Sequence, residues 1–128
     1  DTLGFKASDR QRVVATLVHL ATRSSAAGVN VIVSALTANQ DARRLVLDTV
    51  KNLSVIYIKC SIKTCAERDP KGLYARAKNG DIDTLIGVNS EYLAPENSDL
   101  VIDTESLSPN AAVDAIIQHI RQMGYELT

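Results

Sequence analysis

Two apolar runs, residues 29–36 (VNVIVSAL) and 53–60 (LSVIYIKC), restrict the fold of this chain more than any other feature. The first is apolar throughout except for Asn30 and Ser34, and neither run shows the polar–apolar alternation of a strand with one wet face. Continuous apolarity of this β-branched kind marks strands covered on both sides, as in a parallel sheet. A third, shorter run is LVID at 100–103. Helical patterns separate the three. Val13, Val14, Leu17, Val18, Leu20 and Ala21 recur near helical spacing, with Ser8 or Asp9 as cap and Gly28 as stop. Residues 40–51 carry Leu45, Val46 and Val50 on an inward face, and 62–67 read as a short helix. Ser108 followed by Pro109 gives a cap residue and a proline at the first helical position, ahead of a face made by Val113, Ile116, Ile117 and Ile120. Strands alternating with helices predict an α/β fold with a parallel sheet and right-handed crossovers. Three strands are few for such a sheet, so at least one more is expected from residues upstream of Asp1.

With 128 residues, 45% of them hydrophobic, the chain is read as one domain with a real core. A formal net charge of -1 gives no bulk attraction to nucleic acid or to an anionic membrane, so any anion site must be local. No apolar stretch has the length of a membrane span, and the first residues lack a basic-then-apolar signal pattern. The reading is a cytoplasmic protein whose partners include neither nucleic acid nor membrane. Cys60 and Cys65 lack zinc-site spacing, and His19 and His119 stand apart, so no metal site is expected. The two thiols read as reduced and packed.

The stretch 68–88, RDPKGLYARAKNGDIDTLIGV, has a different character. Pro70 biases Asp69 away from helix, Gly72 and Gly80 loosen the backbone, and Leu73, Tyr74, Ile82, Leu85 and Ile86 are interleaved with Arg68, Lys71, Arg76 and Lys78. A segment of that kind can close over a flat, anionic ligand, which is the behaviour of a lid, here about residues 69–89.

This run, followed by Tyr92, Pro95, Glu96 and the strand-like 99–104, resembles the lid region of adenylyl-sulfate (APS) kinases. LGFKASDR at 3–10 is similar to that family's substrate-binding segment and VIVSALT at 31–37 to its central strand, so the resemblance covers nearly the whole chain. It implies a P-loop nucleoside-triphosphate-hydrolase-like three-layer sandwich. The motif G-x-x-x-x-G-K-[ST] is absent from the chain, so the N-terminal part with the phosphate loop is expected before Asp1. The resemblance also implies ATP and Mg²⁺, transfer of the γ-phosphate to the 3′-hydroxyl of APS to make PAPS in sulfate assimilation, and a homodimer. Residue by residue, it gives Phe5 to stacking on the adenine, Arg10 to the phosphosulfate end, Lys71 to closure over the nucleotide, and Leu73, Leu85 and Val88 to the substrate site. It gives Arg68 to nucleotide binding, and Thr37 stands where the family has an active-site serine.

The chain also departs from the family's pattern. N-I-R-R is replaced by Val13, Val14, Ala15 and Thr16, S-F-I-S-P-Y-R by residues 34–40 with Gln40 for the arginine, and F-T-G-I-D by residues 85–89 with Leu85 for the ring. A stacking ring is worth about 1–3 kcal/mol, and a hydrogen bond to a charged group about 1.5–3 kcal/mol. Three readings therefore stay open: an APS kinase, a related kinase with another nucleotide acceptor such as cytidine diphosphoramidate, and a non-catalytic nucleotide-sensing module. An intact or broken phosphate loop upstream would separate them.

Overall fold

Capping residues fix where most helices of this chain begin, as seen in the computed structural model, which describes Gly4 and residues 6–125. The side chains of Asn39, Ser61 and Ser108 accept the backbone N–H groups of Ala42, Thr64 and Ala111, opening α2 (Gln40–Thr49), α3 (Ile62–Arg68) and α5 (Pro109–Gln122). The first helix, α1 (Ala7–Ala26), corrects the sequence reading. It is capped at Lys6 with no side-chain bond, not at Ser8 or Asp9. Asp9 lies inside the first turn, and its carboxylate reaches back to the N–H of Gly4 at 3.2 Å, so it serves the helix start from within. A further short helix, α4 (Leu73–Lys78), starts at Gly72, whose φ of +64 is the left-handed conformation that favours glycine.

The residues group into two compact units, Asp1–Leu53 with Asp83–Ala94 and Ser54–Ile82 with Pro95–Thr128. In the first, α1 packs on α2 through Val14, Val18 and Ala42, with Leu45, Val46 and Val50 against them. Val13 and Leu20 of the predicted apolar face lie exposed.

In the second unit, β1 (Ile56–Lys59) and β2 (Leu100–Asp103) pair in parallel, with Ile56 opposite Leu100 and Lys59 opposite Asp103. Ile102 is 1% exposed, and α5 packs on β2, with Ile116, Ile117 and Ile120 half-buried. His119 of α5 joins Ser54 at 2.9 Å between Nε2 and Oγ. Val113, predicted on the same face, is exposed, because a two-stranded ladder is too narrow to cover the whole stripe of a 14-residue helix.

The larger correction concerns residues 29–36, which form no strand. A strand is held by the N–H and C=O groups of a neighbour, and among the described residues none pairs with this run. Its side chains are accordingly bare, Ile32 being 92% exposed. Among the described residues no helix is long and apolar enough to cross a membrane.

Candidate active site

The residues singled out by sequence divide between the two units. In the first, Arg10 on α1 donates from Nη2 to the carbonyl of Thr84 at 2.6 Å. That bond joins the candidate anion-binding arginine to the residue beside Leu85, across 74 positions of sequence. The turn that follows is closed on itself. Leu85 N–H donates to the Asn89 side chain at 3.1 Å, Asn89 N–H to the Leu85 carbonyl at 2.8 Å, and Gly87 N–H to the Ser90 carbonyl at 2.7 Å. Gly87 has φ of +90, so the turn needs a residue without a side chain there. Leu85 is half-buried and Val88 exposed within this turn. Phe5 lies outside the described residues.

Thr37 is half-buried just before the cap of α2, and its carbonyl accepts Nε of Arg43 at 2.6 Å. Arg43 also donates to the carbonyl of Leu93, and its guanidinium lies 5.5 Å from the Tyr92 ring centre. It therefore ties the Thr37 turn to the segment after the lid. Sequence reading missed Arg43, although one signal was present: a cation in the first turn of a helix faces the positive end of the dipole, so it needs partners elsewhere.

In the second unit Arg68, the last residue of α3, is fixed by Thr104. Its Nη1 donates to Thr104 Oγ1 at 3.1 Å and its Nη2 to the Thr104 carbonyl at 2.7 Å. Lys71 is exposed in the turn between α3 and α4, and Leu73 is half-buried at the start of α4. The DPKGLY stretch is built by its aspartate: Asp69 accepts N–H groups from Tyr74 at 3.1 Å and Ala75 at 3.0 Å. Burial alone would raise the Asp69 carboxyl, but the backbone N–H groups of Ala75, Tyr74 and Leu73 outweigh it and hold it below the usual range.

Two more carboxylates brace the ends of the strands. Asp103 meets the Lys59 ammonium at 2.8 Å, and that bond with the Glu105 N–H holds its carboxyl low. Glu105 accepts the Thr64 and Ser61 hydroxyls, which depress it likewise. Thr37, Lys71, Leu85 and Val88 are thus carried on turns, while Arg10 stands on α1 and Leu73 opens α4.

A family model described as adenylylsulphate kinase matches residues 1–103. The adenylyl-sulfate kinase of Staphylococcus epidermidis is 33% identical over 126 residues, 96% of this chain and 63% of that protein. A probable adenylyl-sulfate kinase of Halalkalibacterium halodurans is 36% identical over 121 residues, 92% of this chain and 59% of that protein. The chain therefore spans about three fifths of the length of these curated relatives. In structure it matches the Mycobacterium tuberculosis APS kinase, solved in complex with AMPPNP and APS, with a TM-score of 0.83 and 30% identity over 93% of this chain and 70% of that one. The α/β architecture with its parallel strands is that of a P-loop nucleoside-triphosphatase-like protein. With the family model matching across residues 1–103 and the fold agreeing, the chain belongs to the adenylylsulphate kinase family.

Proposed function

We propose that the protein carrying this chain transfers the γ-phosphate of ATP to the 3′-hydroxyl of adenylyl sulfate, giving PAPS and ADP, as a cytoplasmic homodimer active in sulfate assimilation. On this reading the chain is one domain of that enzyme, with residues 69–89 as its lid. The acceptor hydroxyl oxygen bonds to the γ-phosphorus while the bond to the bridging oxygen of the β-phosphate breaks. Such a transfer is mostly a matter of positioning and charge, so the protein's work is to hold the two nucleotides.

In the first unit, Arg10 faces the anionic end of the acceptor, Leu85 and Val88 give apolar contact, and the Thr37 hydroxyl takes the place of the active-site serine. In the second, Lys71 and Leu73 serve the acceptor and Arg68 the nucleotide. Phe5 supplies the stacking ring. Magnesium ion travels with the ATP phosphates as part of the substrate; among the described residues no three of His, Cys, Asp or Glu converge to hold it.

The observation that supports this reading most is the bond from Arg10 to the carbonyl of Thr84. It joins the Arg10 guanidinium to the residue before Leu85 within one unit, and a guanidinium fork suits a phosphosulfate as a point charge does not. The test is steady-state kinetics of the natural protein with ATP and APS. Arg10→Ala is expected to lower kcat/KM for APS by roughly a hundredfold, as losing a charge-assisted hydrogen bond pair does, and Arg10→Lys to recover only part of it. Unchanged kinetics in both variants would remove Arg10 from the acceptor site.

A further inference from the structure

Cys60 and Cys65 occupy positions that a helix start brings together. Ser61 is the N-cap of α3, which makes Cys60 the residue before the cap and Cys65 the fourth residue of the helix. A residue before the cap packs against the fourth helical residue as a hydrophobic staple. The cap itself is firm, with Ser61 Oγ accepting the Thr64 N–H at 3.2 Å and donating to Glu105 Oε1 at 2.8 Å. Both cysteines are free thiols, half-buried at the end of β1 and in the first turns of α3.

The Cys65 thiol interacts with Cys60 and with the Tyr74 hydroxyl. Arg68 Nη1 lies 3.8 Å from Cys60 Sγ. A staple made of two leucines would fill this place as well. Two thiols at the paired positions of one helix start, with a guanidinium beside the first, carry a chemistry that packing does not use.

We propose that Cys60 and Cys65 are a thiol–disulfide exchange site, closing to an intramolecular disulfide with a low-molecular-weight disulfide such as oxidised glutathione as the oxidant. This reading is independent of the kinase assignment. Cys60 is the sulfur beside the Arg68 guanidinium, which favours a thiolate there and makes Cys60 the first nucleophile; burial first, then the interaction with Cys60, push the Cys65 thiol above its ordinary value. The Cys60 sulfur attacks one sulfur of glutathione disulfide and breaks the S–S bond, so one glutathione leaves and a mixed disulfide remains at Cys60. Cys65 then attacks the Cys60 sulfur and expels the second glutathione. Both protons leave on the released glutathiones, two cysteine thiols are oxidised and one glutathione disulfide is reduced. A second thiol at the paired position of the same helix start can resolve the mixed disulfide, whereas the same oxidant on an isolated thiol stops there.

The experiment is mass spectrometry of the natural protein equilibrated in glutathione redox buffer, alkylated under acid quench and digested with trypsin. Lys59, Lys63 and Arg68 place the two cysteines on separate peptides, 60–63 and 64–68. A covalently linked pair of these peptides is expected to be the main oxidised form, and Cys65→Ser to convert it to glutathionylated Cys60. Both cysteines recovered alkylated under oxidising poise would overturn the proposal. So would glutathione on each cysteine without the linked pair, and so would links formed only between two chains. The three overturning outcomes are all read on the unaltered protein, so none of them depends on a variant folding.

Discussion

Residues 29–36 of the first unit and β2 of the second make opposite use of the same chemistry. Each has an isoleucine at its centre and aliphatic neighbours, yet Ile102 is 1% exposed and Ile32 is 92% exposed. Composition does not separate them; partners do. Residues 100–103 lie beside Ile56–Lys59 in parallel register, with α5 against them, so backbone groups and side chains are satisfied together. Residues 29–36 have the propensity without a ladder among the described residues. Strand propensity expresses fitness for a pleated, covered surface, and it yields a strand only where a neighbour supplies the hydrogen bonds.

The contrast is broken or upheld most strongly by truncating the two isoleucines. Ile102→Ala removes a fully covered side chain and is expected to cost about 2–5 kcal/mol. In the 128-residue chain, Ile32→Ala is expected to stay within about 0.5 kcal/mol. Chemical denaturation of both variants measures this, and equal costs would mean that the 29–36 run is as well packed as β2.

A smaller effect sharpens the contrast within the first unit, where the turn at 85–89 is fixed by its own hydrogen bonds but presents an aliphatic residue in place of the family's ring. Leu85→Phe is expected to tighten APS binding by about 1–3 kcal/mol of stacking, roughly a five- to hundredfold fall in Kd. Isothermal titration with APS reads it. An unchanged Kd would show that position 85 does not face the base.

The smallest effect belongs to the second unit and depends on pH. Asp69, Asp103 and Glu105 are all held below the ordinary carboxylate value by hydrogen bonds that favour the ionised form. A depressed carboxylate contributes stability above its unfolded value and loses it as pH falls through the folded one. Lys59 has the opposite sign: its bond to Asp103 raises it, so its contribution is full at neutral pH and is lost as pH rises past the lysine range. Unfolding midpoints are therefore expected to hold steady near neutrality and to fall below about pH 4, where carboxylates begin to protonate. Asp103→Asn should remove part of that acid response. A midpoint that fell between pH 7 and 5 would point to other groups.

Much of this was legible in the chain. The starts of α2, α3 and α5 fall where expected; of their caps only Ser108 was named from the sequence, although Asn39 and Ser61 are equally local signals that need only the next three residues to act. Residues 100–103 were legible because their run is short, apolar and bounded. The fate of 29–36 was not, because pairing depends on residues far away in sequence. The start of α1 was missed by two or three residues because Asp9 acts from within the first turn. At the candidate site, Arg10 was legible as an anion fork, but its bond to Thr84 spans 74 positions that no local pattern encodes. Arg43 was visible only as a cation in the first turn of a helix; its partners, Thr37 and Leu93, were not legible because they offer backbone carbonyls, which every residue possesses.

The central claim is that the protein carrying this chain phosphorylates adenylyl sulfate, and the most direct measurement is the transfer itself. The natural protein is incubated with γ-labelled ATP, magnesium ion and APS, and the products are separated by chromatography. The account predicts label in a 3′-phosphorylated APS, formed more slowly than by a relative that carries the ring at position 85 and the arginine at position 40, and formed roughly a hundredfold less efficiently in Arg10→Ala. Label appearing only in another nucleotide acceptor, or no transfer to APS from a folded protein that binds ATP, would contradict it.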